Sequence, residues 1–446
     1  MDVPVKRKRE EDEEDSVEED KNYEENNLIL RELAHQRRKR KEESSAFIKD
    51  GTTIYMTALD YIQNPPSHLL SFRQLMYEDL LENPRSPKTL ISALLTTFCY
   101  EETFIAPLLK QGIKTCLITE SSSPGRFNIS EGFTIISPRK EVSWGKFHAK
   151  LFLLKFPDKL RVVVCSANLV QYDWASIGQV VWFQDFPAGY SRENSFLAQL
   201  QRFLVKVMPI SYDMKEHLGI DLENYDFSNP KVELVCSVPG RTPDLANSGQ
   251  ARMRRLISQT GNTYSDLLIQ CSSLGKLNRK VMGEFCKSFA NNLLANYEII
   301  FPSLRTVENS HLGKGGGGTT FIKEEHCNAA EFPKKALRDI ASPLEFPQIC
   351  KHLSHSKVVI AHNNYEIDDD TIFYFGSHNL SPAAWGTWEK NSTRIYMMNY
   401  EMGVLFLPKP GSKAMKKEMV RRLPFAVPPP KYQENDEPWL IDKHLN

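Results

Sequence analysis

From about residue 44 onward, short apolar runs alternate with stretches in which apolar positions recur every three or four residues. The first pattern predicts strands and the second predicts helices. Strands are predicted at Thr115–Thr119, Thr134–Ser137, Lys150–Lys155, Arg161–Cys165 and Gln179–Trp182. Helices are predicted at Pro87–Phe98, with Ser86 placed to cap it, and at Glu193–Val207. The theme then returns, with helices at Arg252–Ser258 and Arg279–Ala295 and strands at Glu298–Phe301, Lys357–Ala361, Thr371–Phe375 and Gly403–Leu407. Apolar strands separated by helices imply α/β layers. Val238-Pro239-Gly240 is a candidate boundary and suggests halves of residues 44–235 and 236–446. Gly315-Gly316-Gly317-Gly318 reads as a flexible surface loop, with a phosphate-approaching loop as the alternative. Pro428-Pro429-Pro430 cannot be helical.

Residues 1–43 break this pattern. They hold few apolar positions, 11 basic and 15 acidic residues, and read as a disordered charged tail. Lys6-Arg7-Lys8-Arg9 and Arg37-Arg38-Lys39-Arg40-Lys41 are each candidate nuclear import signals, or else parts of a solvated face, and Asn27 to Lys41 has the makings of a short helix. The net charge of zero therefore hides an asymmetry: the rest of the chain carries 45 basic and 41 acidic residues, an excess that permits a local basic groove. At 41% hydrophobic and 25% charged the chain is ordinary for a globular protein. No apolar run approaches the roughly 18 residues that span a bilayer, and the first residues are too charged for a signal peptide. Eight scattered cysteines without a C-x-x-C pair fit a reducing compartment and offer no zinc site. Cys165 and Cys236 sit in apolar runs and read as buried thiols.

The chemistry lies in a repeat. His148-Ala149-Lys150 opens an apolar run, and a second run ends in Ser166-Ala167-Asn168-Leu169. His355-Ser356-Lys357 does the same, ending in Ser377-His378-Asn379-Leu380. A Trp follows each Asn by six positions, Trp174 and Trp385. On a strand, residues i and i+2 share a face, so each His would lie beside its Lys. One such triplet is a weak signal, but two copies suggest a duplicated module that brings two imidazoles, two ammonium groups and two amides into one cleft. Phosphoryl transfer can use that set. One imidazole attacks phosphorus; the other protonates the leaving oxygen and later activates water. The lysines and asparagines hold the non-bridging oxygens, and losing one such donor costs about 3 kcal/mol of barrier. No metal ligand cluster and no cofactor motif is apparent, and none is needed.

Two HxK…N elements on a duplicated α/β unit resemble the phospholipase D superfamily, and more narrowly the tyrosyl-DNA phosphodiesterases of the first type. The resemblance covers most of residues 50–440. It is strongest at Trp144-Gly145-Lys146-Phe147-His148-Ala149-Lys150, at the two Ser-x-Asn segments, at Ser381-Pro382-Ala383-Ala384-Trp385-Gly386 and at Tyr400-Glu401-Met402-Gly403-Val404-Leu405-Phe406. The general superfamily motif places an Asp five residues after each Lys. Lys155 and His362 stand there, a departure from the lipid-hydrolysing pattern shared with the tyrosyl-DNA branch.

The resemblance implies two similar halves, each a mixed sheet flanked by helices, related by a pseudo-two-fold axis with the cleft between them. It implies His148 as nucleophile and His355 as general acid, then base. Lys150, Lys357, Asn168 and Asn379 match the phosphate-holding set, and Gln179 and Glu401 match residues that orient the imidazoles, without saying which serves which. Trp144 matches an aromatic that stacks on a base; by itself it reads as core. Ser273 matches a DNA contact. Ser381 is a candidate phosphate donor, a helix cap being equally open. Trp174 and Trp385 read as structural, and His378 should point away from Asn379. The implied substrate is DNA carrying a 3′-tyrosyl or peptide adduct from a stalled topoisomerase, the product a 3′-phosphate end, and the setting the nucleus. One chain carries both half-sites and need not dimerise.

Overall fold

The computed structural model describes residues 51–445 except 61, 63–68, 81–85, 88, 141–143, 244–246, 342–350 and 390–392. The charged tail expected over residues 1–43, its basic clusters and the helix expected over 27–41 lie outside the described residues.

Nine strands form a first sheet: β1 (Tyr55–Thr57), β2 (Leu69–Leu70), β3 (Ser92–Thr97), β4 (Lys114–Thr119), β5 (Gly125–Ser130), β6 (Phe133–Ser137), β7 (Leu151–Lys155), β8 (Lys159–Cys165) and β9 (Val180–Pro187). Their order is β2-β1-β9-β8-β7-β3-β4-β6-β5. Seven strands form a second sheet: β10 (Glu233–Ser237), β11 (Asp266–Gln270), β12 (Asn296–Ile300), β13 (Leu337–Arg338), β14 (Val358–His362), β15 (Ile372–Gly376) and β16 (Glu401–Phe406), in the order β10-β16-β15-β14-β11-β12-β13. Set β1 against β10 and the sheets match strand for strand, β1-β9-β8-β7-β3-β4-β6 against the whole second sheet. The sense of every pairing matches too. The pairings from β1 to β3, and from β10 to β11, are antiparallel; the two that follow, β3-β4-β6 and β11-β12-β13, are parallel. Parallel neighbours need a crossover, and helices Glu102–Lys110 and Arg279–Phe289 supply it at equivalent points.

Alternation along the strands decides how the sheets meet. Leu151, Leu153, Val162 and Val164 share one core with Val358, Ile360, Phe373, Phe375 and Val404, so the inner faces pack together. Phe152, Leu154 and Val163 point outward under helices Phe72–Tyr77 and Glu102–Lys110. Val359, Ala361 and Tyr374 point outward under helices Gly249–Gln259 and Arg279–Phe289. Strands covered on both faces read as unbroken apolar runs, which is why β7, β8 and β14 are legible in sequence.

The same property produced one misreading. The helix expected at Pro87–Phe98 is strand β3, all six residues buried between β7 and β4. A short apolar run looks alike in a buried strand and a buried helix. Ser86, expected as its cap, instead forms with Pro87 a two-residue strand against Glu78–Asp79. The helix expected at Arg279–Ala295 ends at Phe289, and Asn291 then takes a left-handed φ of 52°. The boundary placed after residue 235 cuts β10, whose residues from Glu233 to Ser237 all pair with β16; the second sheet starts at Glu233. Pro239-Gly240 punctuates a turn between strands inside the second half. The glycine patch is a short helix, Gly313–Gly316, followed by a 3-10 turn rather than a loose loop. The Trp439 indole covers Gly317, where a Cβ would sit 2.5 Å from the ring, and the Tyr172 hydroxyl donates to the Gly316 carbonyl at 3.0 Å.

Candidate active site

The two halves are stitched at the ends of β9 and β16. Just before β7, Phe147 pairs in parallel with Tyr400; just before β14, Ser354 pairs in parallel with Gly178. The His148 N–H donates to the Tyr400 carbonyl at 2.9 Å, and the His355 N–H to the Gly178 carbonyl at 2.8 Å. The residues after these acceptors are Glu401 and Gln179. Each histidine is thus locked by its backbone beside a side chain from the other half. Because the backbone is used this way, each His-x-Lys leads into its strand rather than lying within it.

The side chains complete the exchange. His148 Nδ1 meets Glu401 Oε2 at 2.8 Å, and His355 Nδ1 meets Gln179 Oε1 at 3.2 Å. Occupied Nδ1 atoms leave both Nε2 atoms as the reactive edges. A serine holds each partner: Ser166 Oγ donates to Gln179 Oε1 at 2.7 Å, and Ser377 Oγ donates to Glu401 Oε2. Asn399 Nδ2 adds a 3.0 Å bond to Glu401 Oε1.

Both lysines are buried and turn back on their own segment. Lys150 Nζ donates to the His148 carbonyl at 2.8 Å; Lys357 Nζ donates to the His355 carbonyl and, at 2.9 Å, to Ser272 Oγ. Each keeps donor capacity, since an ammonium carries three protons. The asparagines differ. Asn168 Nδ2 donates to Asp173 Oδ2 at 2.9 Å, while Asn379 Oδ1 accepts from the Ser273 N–H at 3.0 Å.

Burial and crowding set the charges. Desolvation pushes Lys150 down to about 8 and Lys357 to about 7, the latter also repelled by Lys150. Burial likewise lowers His148, outweighing the Glu401 carboxylate; it lowers His355 further, with Lys357, Lys150 and His148 all opposing a proton there. Burial alone would raise Glu401, but the His148 contact and Lys150 bring it to about 2, so it is ionised. The two imidazoles and two ammonium groups therefore lie in one another's fields.

A family model described as tyrosyl-DNA phosphodiesterase matches residues 61–433. The chain belongs to the tyrosyl-DNA phosphodiesterase family. It is 26% identical over 372 residues to tyrosyl-DNA phosphodiesterase 1 of Arabidopsis thaliana, covering 69% of this chain and 60% of the relative. It is 27% identical over 366 residues to tyrosyl-DNA phosphodiesterase 1 of Drosophila melanogaster, covering 72% and 61%. The chain thus spans about 60% of the length of these relatives. The crystal structure of yeast tyrosyl-DNA phosphodiesterase superimposes with a TM-score of 0.68 at 18% identity, covering 88% of this chain and all of that one, and so shares the fold.

In this member of the tyrosyl-DNA phosphodiesterase family all eight residues expected at the centre converge. The outlying ones divide. Trp144 is 70% exposed, so the core reading fails; its Nε1 donates to Met398 Sδ at 3.3 Å. Ser381 caps helix Pro382–Trp385, accepting from the Ala384 N–H at 3.2 Å, which is the cap alternative. Ser273 lies beside Asn379. His378 points away, as expected, to Ser237 Oγ at 2.9 Å and to the Tyr374 hydroxyl. Trp174 donates to the Asn168 carbonyl at 2.9 Å and Trp385 stacks on His378, both in the core. Cys165 and Cys236 are buried free thiols. Among the described residues no group of three His, Cys, Asp or Glu is arranged to hold a metal, and no helix is long and apolar enough to cross a membrane.

Sequence reading missed Ser166, Ser377 and Asp173 as parts of the site. The serines were visible, being the first residue of each repeated Ser-x-Asn. Asp173 had no such signal: its equivalent five residues after Asn379 is Ala384. It is buried, accepts from the Asn168 N–H and Nδ2 at 2.6 and 2.9 Å, and lies 3.9 Å from His355 Nδ1.

Proposed function

We propose that this protein hydrolyses the bond between a tyrosine, or another 3′ adduct, and a DNA 3′-phosphate, through a phosphohistidine on His148. The observation that carries this reading is the crossed arrangement of the two histidines, each aimed by the other half and both flanked by buried lysines. With Glu401 ionised on Nδ1, His148 presents a neutral Nε2 lone pair to phosphorus. Lys150, Lys357 and the Asn379 amide hold the non-bridging oxygens as charge shifts onto them. The phosphodiester also brings a negative charge of its own to the cleft. It offsets the lysine field and lets His355 carry a proton to the departing phenol, whose ordinary pKa of about 10 already makes it a fair leaving group. His355, now neutral, takes a proton from water, which attacks the phosphohistidine and releases a 3′-phosphate end. Trp144, Ser273 and Ser381 line the path assigned to the DNA strand; the exposed indole is free to stack on a base. The two lysines do the work that a cation would otherwise do, so the reaction needs no added metal. Read as import signals, the basic clusters of the tail support a nuclear setting.

The test is release of tyrosine from a 3′-phosphotyrosyl oligonucleotide in the presence of EDTA, with phosphatidylcholine as the rival substrate. Hydrolysis of the lipid alone, or binding of the oligonucleotide without release, would overturn the reading.

A further inference from the structure

A cavity of about 320 Å³ is bounded on one edge by Leu380 and Ser381, the two residues that follow Asn379 in the chain. Gln250 on helix Gly249–Gln259, Phe285 on helix Arg279–Phe289, Trp385 on helix Pro382–Trp385 and Trp388 on strand Thr387–Glu389 also line it. Phe285 and Trp385 meet edge to face, with ring centroids 5.9 Å apart. Trp388 is braced by Arg254, whose guanidinium lies 4.1 Å from the ring centroid and bonds Glu284 at 2.6 Å. Glu284 is the one carboxylate among the described residues lining the cavity, so its charge is already met.

The polar groups of this cavity are not met. Gln250 is only 4% exposed, yet its side-chain amide has no hydrogen-bond partner among the described residues. The Trp388 Nε1–H is buried and also has none. A buried polar group left without a partner destabilises the fold, so two of them on one cavity point to a ligand that supplies the missing bonds. The amide offers a donor and an acceptor, and the indole adds a second donor. Lys276 and Lys280 line the cavity too; both are exposed, and neither has an ion-pair or hydrogen-bond partner among the described residues. Flat aromatic walls, a polar edge and unpaired ammonium groups together suit a planar heterocycle that carries a phosphate. The position links it to the cleft. Ser273 holds Asn379, Leu274 bridges to Leu380, and a Cβ on Gly275 would lie 2.6 Å from the Ser381 side chain. The segment that leads to Lys276 thus packs on the cavity's edge. Trp144 lies elsewhere, against Met398.

We propose that this cavity is a base pocket, which takes one nucleobase of the strand whose 3′ end enters the cleft, its edge bonded by Gln250 and Trp388 and its phosphate met by Lys276 and Lys280. It rests on the proposed function, because the base belongs to the scissile strand. The experiment compares the full chain with Gln250→Leu and with Trp388→Phe, which keep bulk and remove the polar edge. Single-stranded substrates share one 3′-phosphotyrosyl end and lack one base at a time, counted back from that end. At the position the pocket holds, loss of the base should raise the parent's KM about tenfold and leave kcat unchanged. Each variant should raise KM several-fold on the intact strand and add nothing further when that base is absent. Gln250→Leu should melt no lower than the parent, since it removes an unpartnered buried amide, so weaker binding is not weaker folding. Anisotropy of a strand ending in a plain 3′-phosphate repeats the scan without turnover. No position at which the variants' losses vanish, unchanged KM in both variants, or losses that follow the length of the peptide adduct would each overturn the proposal. A parent protein that never releases tyrosine would instead defeat the proposed function, and anisotropy would still judge the pocket.

Discussion

The two halves build nearly the same site and then part at two positions: the side chain that meets each imidazole, and Asp173, whose counterpart is Ala384. His148 leans on a carboxylate, Glu401; His355 leans on an amide, Gln179. The strands beneath them match in order and sense, the serines that hold the two partners match, and the lysines match down to the carbonyl each one bonds. Between the two direct partners of the imidazoles the difference is a single formal charge. A buried anion beside one imidazole favours a positive charge developing on that ring, as happens when it bonds to phosphorus. A neutral amide beside the other fixes its direction while leaving it ready to give up a proton. Asymmetry of role thus goes with very few residues of asymmetry in structure.

The harshest test of this division is removal of each ring. His148→Ala should abolish both tyrosine release and any covalent adduct, whereas His355→Ala should let a protein–DNA adduct accumulate on a denaturing gel. An adduct with His148→Ala, or none with His355→Ala, would reverse or erase the assignment. Next come the lysines. Lys150→Met and Lys357→Met should each lower kcat about 100-fold, the usual cost of one donor to a developing charge. A tenfold disparity between them would show that the halves share the phosphate unequally.

The same substitutions should change stability with the opposite sign. The folded-state pKa values of Lys357 and Lys150, about 7 and about 8, lie below the unfolded value of about 10.4. Below pH 7 both states carry the protons and folding bears the full cost of burying them; above about pH 10 neither state does. Their contribution to stability therefore climbs between those limits. Urea denaturation across that range, with wild type minus Lys357→Met as the readout, should show the climb, and a flat difference would discount the depression. The smallest effect separates the serines. Ser377→Ala removes a hydrogen bond to a charged acceptor, worth about 1.5–3 kcal/mol, while Ser166→Ala removes a neutral one worth about 1 kcal/mol. The kcat of Ser377→Ala should fall further, and equal losses would mean that the charge on Glu401 is not what its serine protects.

Much of this was legible in the chain because duplication makes a weak signal strong. His-x-Lys alone says little, yet its second copy located six of the central residues, and the paired sheets follow from the apolar runs beside them. Three things were hidden. The strand Ser92–Thr97 passed for a helix, because burial on both faces erases periodicity. The pairing of Gln179 with His355 and Glu401 with His148 depends on bridges between residues more than 170 positions apart, which no local pattern encodes. Asp173 sits where the repeat fails, so the comparison that exposed its neighbours passed over it.

The parallel bridges at Phe147–Tyr400 and Ser354–Gly178 carry a lesson about covalent fusion. In an assembly of two identical copies the same crossed geometry would force both rings to share one type of neighbour, since any substitution would strike twice. Joined in one chain, the copies are free to diverge one at a time. The price of that freedom is interdependence: severed from its sibling, neither portion would keep an imidazole aimed at anything.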